Sequence, residues 1–427
     1  MKVALLNPNW RFDGSIYFGC AEPHLPLELG YAQALLQRAG HEAMLFDAAL
    51  GDWSLDELHA RFSEFRPDCT VLPTAPSYLF WRCPPPELRV PRQAVVALRA
   101  VMGRLIVVGP HASTTPGATL RKLDADLAIL GECEEVVCQA VGAERFADLQ
   151  SVAYFEGDKL VKHGPRAMVD LNQLPALHWP DGLVRRHRHH HHRFDAAPDG
   201  YGAEVEASRG CPYACSFCAK QDHRDLYRKR PLAPLLEEID GLIAQGVTYL
   251  YFIDEIFLPD RPLLEALRDR PVRFGVQTRI DLWRPELLDL LAAAGCVSIE
   301  AGVESISREG REQIDKRCRL STDQLSERLQ HARRGVPFVQ ASLLDGGCDD
   351  PEEVRHWREG MIARGVWVNV PVPMFPYPGS IDYLRRWGAP DDRAWERAVE
   401  FYRGEFGAFS DIQSAQPLPV EVLERVS

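Results

Sequence analysis

Three cysteines, Cys211, Cys215 and Cys218, lie close together in a C-x-x-x-C-x-x-C pattern. Thiolates at this spacing can hold an iron–sulfur cluster, and most [4Fe–4S] clusters use four cysteine ligands. Three ligands leave one iron without a protein ligand, and an open coordination position distinguishes a catalytic metal from a structural one. The pattern therefore predicts a catalytic [4Fe–4S] cluster, with the three cysteines as metal ligands and catalytic residues.

A zinc site is the second interpretation of the same cysteines. With His223 they could form a closed Cys₃His tetrahedron. Short cysteine patterns are shared between metals, so the spacing alone leaves this alternative open. A zinc site would make the chain a zinc-stabilised protein that binds a small ligand.

Composition narrows the class of protein. The chain has 427 residues, of which 46% are hydrophobic and 26% charged, as expected of a globular protein with two or three domains. Its formal net charge of −12 argues against a nucleic-acid partner. No apolar run approaches the roughly 18 residues of a membrane span, and the N-terminus is predicted to form a strand. Eleven cysteines without a secretion signal indicate reduced thiols in a cytoplasmic protein.

The first part of the chain alternates apolar and amphipathic segments. Predicted strands are Val3–Leu6, Glu42–Phe46, Thr70–Leu72, Leu105–Val108 and Leu127–Leu130. Predicted helices are Leu27–Arg38, Ser54–Phe62, Arg92–Val101, Ala118–Leu123 and Glu134–Val141. Strands of unbroken Val, Ile and Leu predict a parallel sheet covered on both faces. We expect an α/β, flavodoxin-like, doubly wound (Rossmann-like) domain over residues 1–145, with its ligand at the carboxyl ends of the strands.

The loops at those strand ends supply candidate binding residues. Small, hydroxyl and glycine residues there allow a ligand to approach the backbone. The candidates are Thr74, Ser77, Gly109, His111, Ser113, Thr114, Gly131 and Glu132. The alternative is that these residues are turn and N-cap residues. In the same region Tyr78, Phe80 and Trp81 either cover a bound ligand or pack beneath a long loop.

The second α/β unit is predicted over residues 201–388. Its strands are Ala203–Ala207, Tyr249–Ile253, Phe274–Gln277, Val297–Ala301, Phe338–Leu343 and Trp367–Val372. Its helices are Leu235–Gln245, Asp260–Arg268, Pro285–Ala294, Thr322–Arg334 and Pro351–Arg364. Six β/α repeats predict a partial (β/α)₆ TIM-type barrel with its chemistry at the carboxyl ends of the strands. Polar residues stand at those ends: Asp254, Glu255, Gln277, Arg279, Glu300 and Gln340.

The cysteine motif, with Phe217 before its third cysteine, and the polar strand ends resemble the radical S-adenosylmethionine (SAM) superfamily. A preceding doubly wound domain resembles the cobalamin-binding domain of cobalamin-dependent radical SAM enzymes. The resemblance implies that Asp254 and Glu255 bind the ammonium of SAM and that Arg279 pairs with its carboxylate or with Glu300. The Asp-x-His-x-x-Gly motif that ligates cobalt in other cobalamin proteins is absent from this domain. We therefore expect cobalamin bound without a protein histidine.

The resemblance also implies a reaction. Electron transfer from the cluster cleaves SAM to a 5′-deoxyadenosyl radical, which removes hydrogen from an unactivated carbon, and methylcobalamin methylates that carbon. The alternative is a non-methylating cyclisation, rearrangement or group transfer with the same cofactors. Expected partners are a small metabolite or natural-product intermediate and an electron donor such as flavodoxin or ferredoxin. The chain is expected to be a monomer.

The remaining segments are predicted to connect or extend these units. Residues 146–200 are predicted to form a connector with a hairpin, and residues 389–427 a short helical extension. The run Arg185–Arg193 contains a histidine tract, interpreted as a solvated basic loop or as a cationic lip for an anionic substrate. Cys348 is a candidate thiol on the substrate side of the barrel.

Overall fold

The computed structural model describes residues 1–16, 24–77, 84–187, 200–220, 223–405 and 415–425. Its N-terminal unit contains a parallel sheet in the order β2-β1-β3-β4-β5, which is the doubly wound order predicted from the sequence. The strands are β1 Lys2–Asn7, β2 Glu42–Asp47, β3 Cys69–Pro73, β4 Arg104–Val108 and β5 Leu127–Ile129.

Alternate residues of each central strand enter two different hydrophobic cores. Val3 and Leu5 pack into the core that continues into the second unit, whereas Ala4 and Leu6 pack into a core on the other face of the sheet. All four side chains are completely buried. A strand buried on both faces needs an unbroken apolar sequence, which is why these segments show no polar alternation.

The hairpin predicted in the connector extends the N-terminal sheet. Strand β6, Val152–Glu156, pairs antiparallel with β5, and β7, Lys159–His163, pairs antiparallel with β6. The sheet therefore continues beyond residue 145, and the N-terminal unit includes residues up to His163.

The second unit is the predicted partial barrel. Its parallel sheet has the order β15-β14-β13-β12-β11-β8, and β16 pairs with β14. The strands are β8 Tyr201–Val205, β11 Val247–Phe252, β12 Arg273–Thr278, β13 Cys296–Glu304, β14 Phe338–Asp345, β15 Trp367–Val368 and β16 Val372–Pro373. A short antiparallel pair, β9 Ser208–Arg209 and β10 Arg228–Lys229, brackets the cysteine loop.

The sixth barrel strand is interrupted where the sequence predicts a continuous strand. The Asn369 side chain accepts a hydrogen bond from the Leu343 backbone N–H at 2.7 Å and donates one to the Leu343 carbonyl at 2.9 Å. These bonds take the place of backbone pairing at that point. The strand is consequently divided into β15 and β16.

Helices cover both sheets close to the predicted positions. Those of the N-terminal unit are Leu27–Arg38, Ala48–Gly51, Leu55–Phe65, Arg89–Leu98, Pro110–Thr114, Pro116–Lys122 and Glu134–Val141. Those of the barrel are Leu232–Ala244, Arg261–Arg268, Pro285–Ala293, Arg308–Gln313, Thr322–Gly335, Pro351–Ala363 and Ile381–Trp387. Asp181–Val184 lies in the connector. Within the described ranges, no helix is both long and apolar enough to cross a membrane.

The C-terminal segment, Ala394–Glu405 and Val420–Leu423, joins the two units. Trp395 and Tyr402 belong to a hydrophobic cluster that also contains Ile16 of the N-terminal unit and Phe375 of the barrel. Lys122 forms ion pairs with Glu396 at 2.7 Å and with Glu424 at 2.8 Å. The C-terminal extension predicted from the sequence therefore packs against both units where they meet.

Candidate active site at the barrel mouth

The cysteine loop follows the first barrel strand and is fixed at several points. Gly210 has a φ of +77°, and a Cβ there would lie 2.1 Å from the Leu226 carbonyl oxygen, so only glycine fits. Lys220 donates to the Cys211 carbonyl at 2.6 Å and to the Asp225 carboxylate at 2.7 Å. Ser216 donates its N–H to the Ile314 carbonyl at 2.9 Å. These contacts hold the loop across the mouth of the barrel.

All three cysteines line one cavity of about 360 Å³ at the carboxyl ends of the barrel strands. Burial raises the pKa of the Cys211 and Cys215 thiols, and raises that of Cys218 to about 12. The thiols therefore stay protonated until a metal displaces their protons. Their shared exposure to the cavity fits a cluster that needs three thiolate ligands and one open position.

The zinc alternative is not supported by the geometry. Ligands of a single zinc ion lie about 2 Å from it and must converge closely. Among the residues that the structure describes, no three His, Cys, Asp or Glu side chains converge in this way. His223 is buried away from the cavity, and burial, followed by the nearby Arg224 and Arg209, holds its pKa well below the usual range.

The two carboxylates at the end of the second barrel strand have different environments. Glu255 lines the cavity, and its Oε2 accepts the Gly210 N–H at 2.8 Å. Asp254 does not line the cavity; its carboxylate accepts the Ala207 N–H at 2.9 Å and bonds the Ser208 hydroxyl. Burial raises the pKa of Asp254 to about 8. Glu255 thus faces the cavity, whereas Asp254 bonds residues 207 and 208 at the start of the cysteine loop.

The other predicted barrel residues converge on the cavity. Its lining includes Phe217, Gln277, Arg279, Glu300 and Gln340. The Gln277 Oε1, Arg279 Nη1 and Gln340 Oε1 atoms are buried and have no hydrogen-bond partner among the described residues. Buried polar atoms of this kind are costly unless a ligand or water satisfies them. They provide one cationic donor and two amide oxygens for a polar ligand beside the cysteines.

Arg279 is oriented by residues that the sequence motifs did not connect with it. It forms a two-point ion pair with Asp281, at 3.1 and 2.9 Å, and stacks 4.0 Å from the ring centroid of Tyr213. Asp281 is thus a carboxylate partner of Arg279 beyond the two that the resemblance implied, the SAM carboxylate and Glu300. The remaining Nη1 is the donor available to a ligand carboxylate.

Several cavity residues were missed in the sequence. Lys316 lines the cavity and pairs with Glu304 at 3.0 Å, and an apolar wall is formed by Val372, Met374, Phe375 and Tyr377. Lys316 follows a surface helix and has no motif to mark it. Tyr377 lies in the Pro-Tyr-Pro-Gly-Ser turn at 376–380, which resembles the family at the sixth strand end, whereas no motif marks Phe375.

At the carboxyl edge of the N-terminal sheet, predicted ligand residues bond to the fold itself. The Thr74 hydroxyl donates to the Val108 carbonyl at 2.9 Å, and the Ser113 hydroxyl donates to the Gly109 carbonyl at 2.9 Å. The Ser77 hydroxyl accepts the Leu27 N–H at 3.1 Å and also bonds the Glu28 carboxylate. These hydroxyls act as the turn and cap groups of the alternative interpretation.

His111 is enclosed by its neighbours. Its Nε2 donates to the Pro85 carbonyl at 2.8 Å, and its ring stacks on Trp395 with centroids 4.0 Å apart. Burial lowers its pKa to about 3. The imidazole is therefore enclosed and hydrogen-bonded within the fold.

The last strand end of this edge holds Gly131 and Glu132. Gly131, at φ +90°, donates its N–H to the Ser113 hydroxyl at 2.9 Å. Glu132 is buried and accepts the Val169 N–H at 2.8 Å, and its carboxylate pairs with Arg209 and Arg228 of the barrel. Of the eight predicted residues at this edge, Thr114 alone has a partly exposed side chain.

Three further predictions concern neighbouring segments. His187 is completely buried and bonds the Gly202 carbonyl at 2.7 Å and Glu204 at 3.0 Å, so the solvated-loop interpretation is wrong for this residue. The rest of the histidine tract, residues 188–193, and the aromatic residues at 78, 80 and 81 lie outside the described residues. Cys348 is exposed and bonds Gln313 beside, but not within, the main cavity.

The carboxyl edges of the two sheets meet. Ile16, after strand β1, packs with the cavity residues Phe375 and Tyr377. His24, also from the N-terminal unit, pairs with Glu204 of strand β8 at 2.8 Å. A cofactor carried at the edge of the N-terminal sheet would therefore lie next to the barrel cavity.

Comparison with known proteins identifies this arrangement. Residues 205–357 match the family described as the radical SAM superfamily. The anaerobic magnesium-protoporphyrin IX monomethyl ester cyclase of Cereibacter sphaeroides is 25% identical over 378 residues, covering 83% of this chain and 58% of that protein. This chain thus spans a little over half the length of that relative.

Solved structures extend the similarity to both units. The radical SAM methyltransferase TsrM of Kitasatospora setae, solved with cobalamin and a [4Fe–4S] cluster, superposes with a TM-score of 0.73 at 19% identity, covering 89% of this chain and 76% of that one. The cobalamin-dependent SAM radical enzyme OxsB gives 0.66 at 16% identity, covering 99% and 57%. Residues 205–357 of the barrel thus match the radical SAM family model, and the whole chain has the fold of these two cobalamin-dependent enzymes.

Proposed function

We propose that this protein is a cobalamin-dependent radical SAM enzyme that methylates an unactivated carbon of a small molecule. The observation that carries the proposal is the cavity in which three cysteines, Glu255 and the unpartnered atoms of Gln277, Arg279 and Gln340 meet. When bound, the cluster and cobalamin supply reductive cleavage of SAM and transfer of a methyl group.

Different residues of the cavity bind the cluster and the separate polar groups of SAM. Cys211, Cys215 and Cys218 would hold three irons of a [4Fe–4S] cluster, which would leave the fourth iron for SAM. Glu255 accepts the ammonium of SAM, and Arg279 Nη1 donates to its carboxylate. The amide groups of Gln277 and Gln340 bond its remaining polar atoms. The apolar wall at Phe375 and Tyr377 excludes water from the reacting carbon.

Cobalamin is assigned to the junction between the two sheet edges. Thr114 and the backbone around Gly109 and Gly131 would hold it, and the His111 imidazole is already bonded to the Pro85 carbonyl. The small-molecule substrate is supported by the volume of the cavity, about 360 Å³, and by TsrM, which was solved with tryptophan. We further propose that the protein works as a cytoplasmic monomer supplied with electrons by a flavodoxin or ferredoxin.

A non-methylating reaction is the second candidate, because the relative from Cereibacter sphaeroides is a cyclase. Both candidates use the same cavity and the same cofactors. They differ in the product, since methylation adds one carbon and two hydrogens to the substrate mass, whereas cyclisation adds no carbon.

The test is anaerobic reconstitution with iron, sulfide and cobalamin, followed by reduction in the presence of SAM. We expect a [4Fe–4S] electron paramagnetic resonance (EPR) signal, bound cobalamin and 5′-deoxyadenosine. Protein that binds zinc and no iron would refute the assignment. Mass spectrometry of products from candidate substrates then separates methylation from the non-methylating alternative.

A further inference from the structure

A buried series of alternating charges runs from the N-terminal unit to the candidate SAM site. We call it the ion chain, and its members are Glu134, Arg209, Glu206, Arg224 and Glu255. The side chains of Arg209 and Glu206 are 0% exposed, those of Glu134 and Arg224 1%, and that of Glu255 6%. Glu134 begins a helix of the N-terminal unit, and the other four belong to the barrel.

Each ion pair in the ion chain has one residue in common with the next pair. Arg209 Nη2 lies 2.6 Å from Glu134 Oε1, and Arg209 Nε donates to Glu206 Oε2 at 2.8 Å. The other oxygen of Glu206 accepts from Arg224 Nη1 at 2.5 Å. The same Nη1 lies 3.6 Å from Glu255 Oε1. Arg224 therefore divides its attraction between Glu206 and Glu255.

The ion chain ends at the site itself. Glu255 lines the cavity, and its second oxygen accepts the N–H of Gly210, which precedes the first cluster cysteine. Arg209 precedes Gly210 in turn. The Gly210 N–H bonds Glu255, the last member of the ion chain. Gly210 also follows Arg209, which pairs directly with Glu134.

Burial makes these contacts interdependent. A buried charge that loses one partner is strongly destabilised, so it moves toward those that remain. If Arg209 loses Glu134, it draws more strongly on its two remaining carboxylates, Glu206 at 2.8 Å and Glu132 at 3.4 Å. The attraction between Glu206 and Arg224 is then weakened, and Arg224 draws more strongly on Glu255. The Glu255 carboxylate becomes less available to an ammonium group in the cavity.

We propose that Glu134 is a positioning residue for the SAM site, acting through Arg209, Glu206 and Arg224 to keep Glu255 available to the SAM ammonium. This inference rests on the proposed function of the cavity. It makes the N-terminal unit part of the machinery that binds SAM, in addition to any cofactor that this unit carries.

The test measures SAM binding to the anaerobically reconstituted full-length protein by calorimetry, together with the EPR signal of the reduced cluster with and without SAM. The variant is Glu134→Gln, which removes the charge and keeps the size. The matched control is Glu238→Gln, because Glu238 is equally buried and its ion pair, at 2.9 Å, is with Arg230, which hydrogen-bonds the ion chain only at the Glu206 backbone carbonyl. Glu134→Asp, which restores the charge, tests rescue.

We expect Glu134→Gln to weaken SAM binding about tenfold, the effect of losing roughly one charge-assisted contact. Iron content stays at the wild-type value, and the EPR change caused by SAM requires correspondingly more SAM. Glu238→Gln loses thermal stability but binds SAM as wild type does, and Glu134→Asp recovers part of the affinity.

Equal SAM affinities in Glu134→Gln and wild type would overturn the proposal, as would an equal loss of affinity in the Glu238→Gln control. If Glu134→Gln does not fold, Glu134→Met, which also removes the charge and keeps the length, is measured in its place, and a wild-type SAM affinity in that variant refutes the role. Failure of the proposed function gives a different result, because wild-type protein would then bind neither a cluster nor SAM.

Discussion

At the carboxyl edge of the N-terminal sheet, Thr74 and Ser113 donate their hydroxyls to backbone carbonyls, whereas at the barrel mouth Gln277 and Gln340 line a cavity with unpartnered amide oxygens. Both sets follow parallel strands and were selected by the same rule. The rule that ligands bind at the carboxyl ends of parallel strands finds the correct edge. It does not say which polar side chains there are already hydrogen-bonded within the protein. A side chain is a credible ligand only after its internal partners have been counted.

The largest expected effect is at the cysteine loop. Replacing Cys211, Cys215 and Cys218 together by alanine should abolish iron binding and SAM cleavage and leave a folded chain, because the loop lies outside the barrel core. Iron analysis and 5′-deoxyadenosine assay measure this. The control is Cys348→Ala, an exposed thiol outside the main cavity, which should retain iron. Wild-type iron content in the triple variant would refute the cluster assignment.

The next effect separates two adjacent carboxylates. Glu255→Gln should weaken SAM binding by about 2 kcal/mol, because a charge-assisted contact in the cavity is lost. Asp254→Asn should leave SAM binding unchanged, since the raised pKa makes the native group a neutral acid that an amide can imitate. Calorimetry on both variants decides this, and equal losses of affinity would show that both carboxylates contact SAM.

A third prediction concerns the enclosed histidine of the N-terminal unit. His111→Gln should lower the free energy of unfolding by about 1–3 kcal/mol, because a buried hydrogen bond and the stacking on Trp395 are disturbed. EPR of bound cob(II)alamin should show no axial nitrogen splitting in either protein. Nitrogen splitting in wild type that disappears in the variant would mean that the imidazole ligates cobalt after all.

The smallest effect is expected at Thr114, the partly exposed residue of that edge. Thr114→Val should reduce cobalamin retention a few-fold, with little change in melting temperature. Ser113→Ala should lower the melting temperature and leave cobalamin retention nearly unchanged, because the Ser113 hydroxyl bonds Gly109 and Gly131 inside the fold. If the two variants retain cobalamin equally, the contrast between the exposed and the buried hydroxyl is wrong.

Much of the architecture could be predicted because it depends on local patterns. The unbroken apolar strands and the helix between Leu27 and Arg38 were placed almost to the residue. The division of the sixth strand was not, since it depends on the Asn369 side chain bonding a neighbouring strand. No periodicity in a single sequence reports such a contact.

In the candidate site, too, the residues marked by local patterns could be predicted, and the contacts between distant residues could not. The cysteines and Glu255 follow from spacing and strand ends. The separate role of Asp254 depends on its contacts with Ala207 and Ser208, and that of Glu132 on arginines from the other unit. Contacts between residues distant in sequence decide whether a polar group faces a ligand or the fold, and only the three-dimensional structure supplies them.

The C-terminal segment has a consequence for the order of biosynthesis. Tyr402 supports the cavity residue Phe375, with ring centroids 5.6 Å apart, and Glu424 accepts the Leu88 N–H at 2.8 Å. A chain emerging from the ribosome makes these contacts only after residue 424 has been added. Until then the cavity lacks the support of its outer wall.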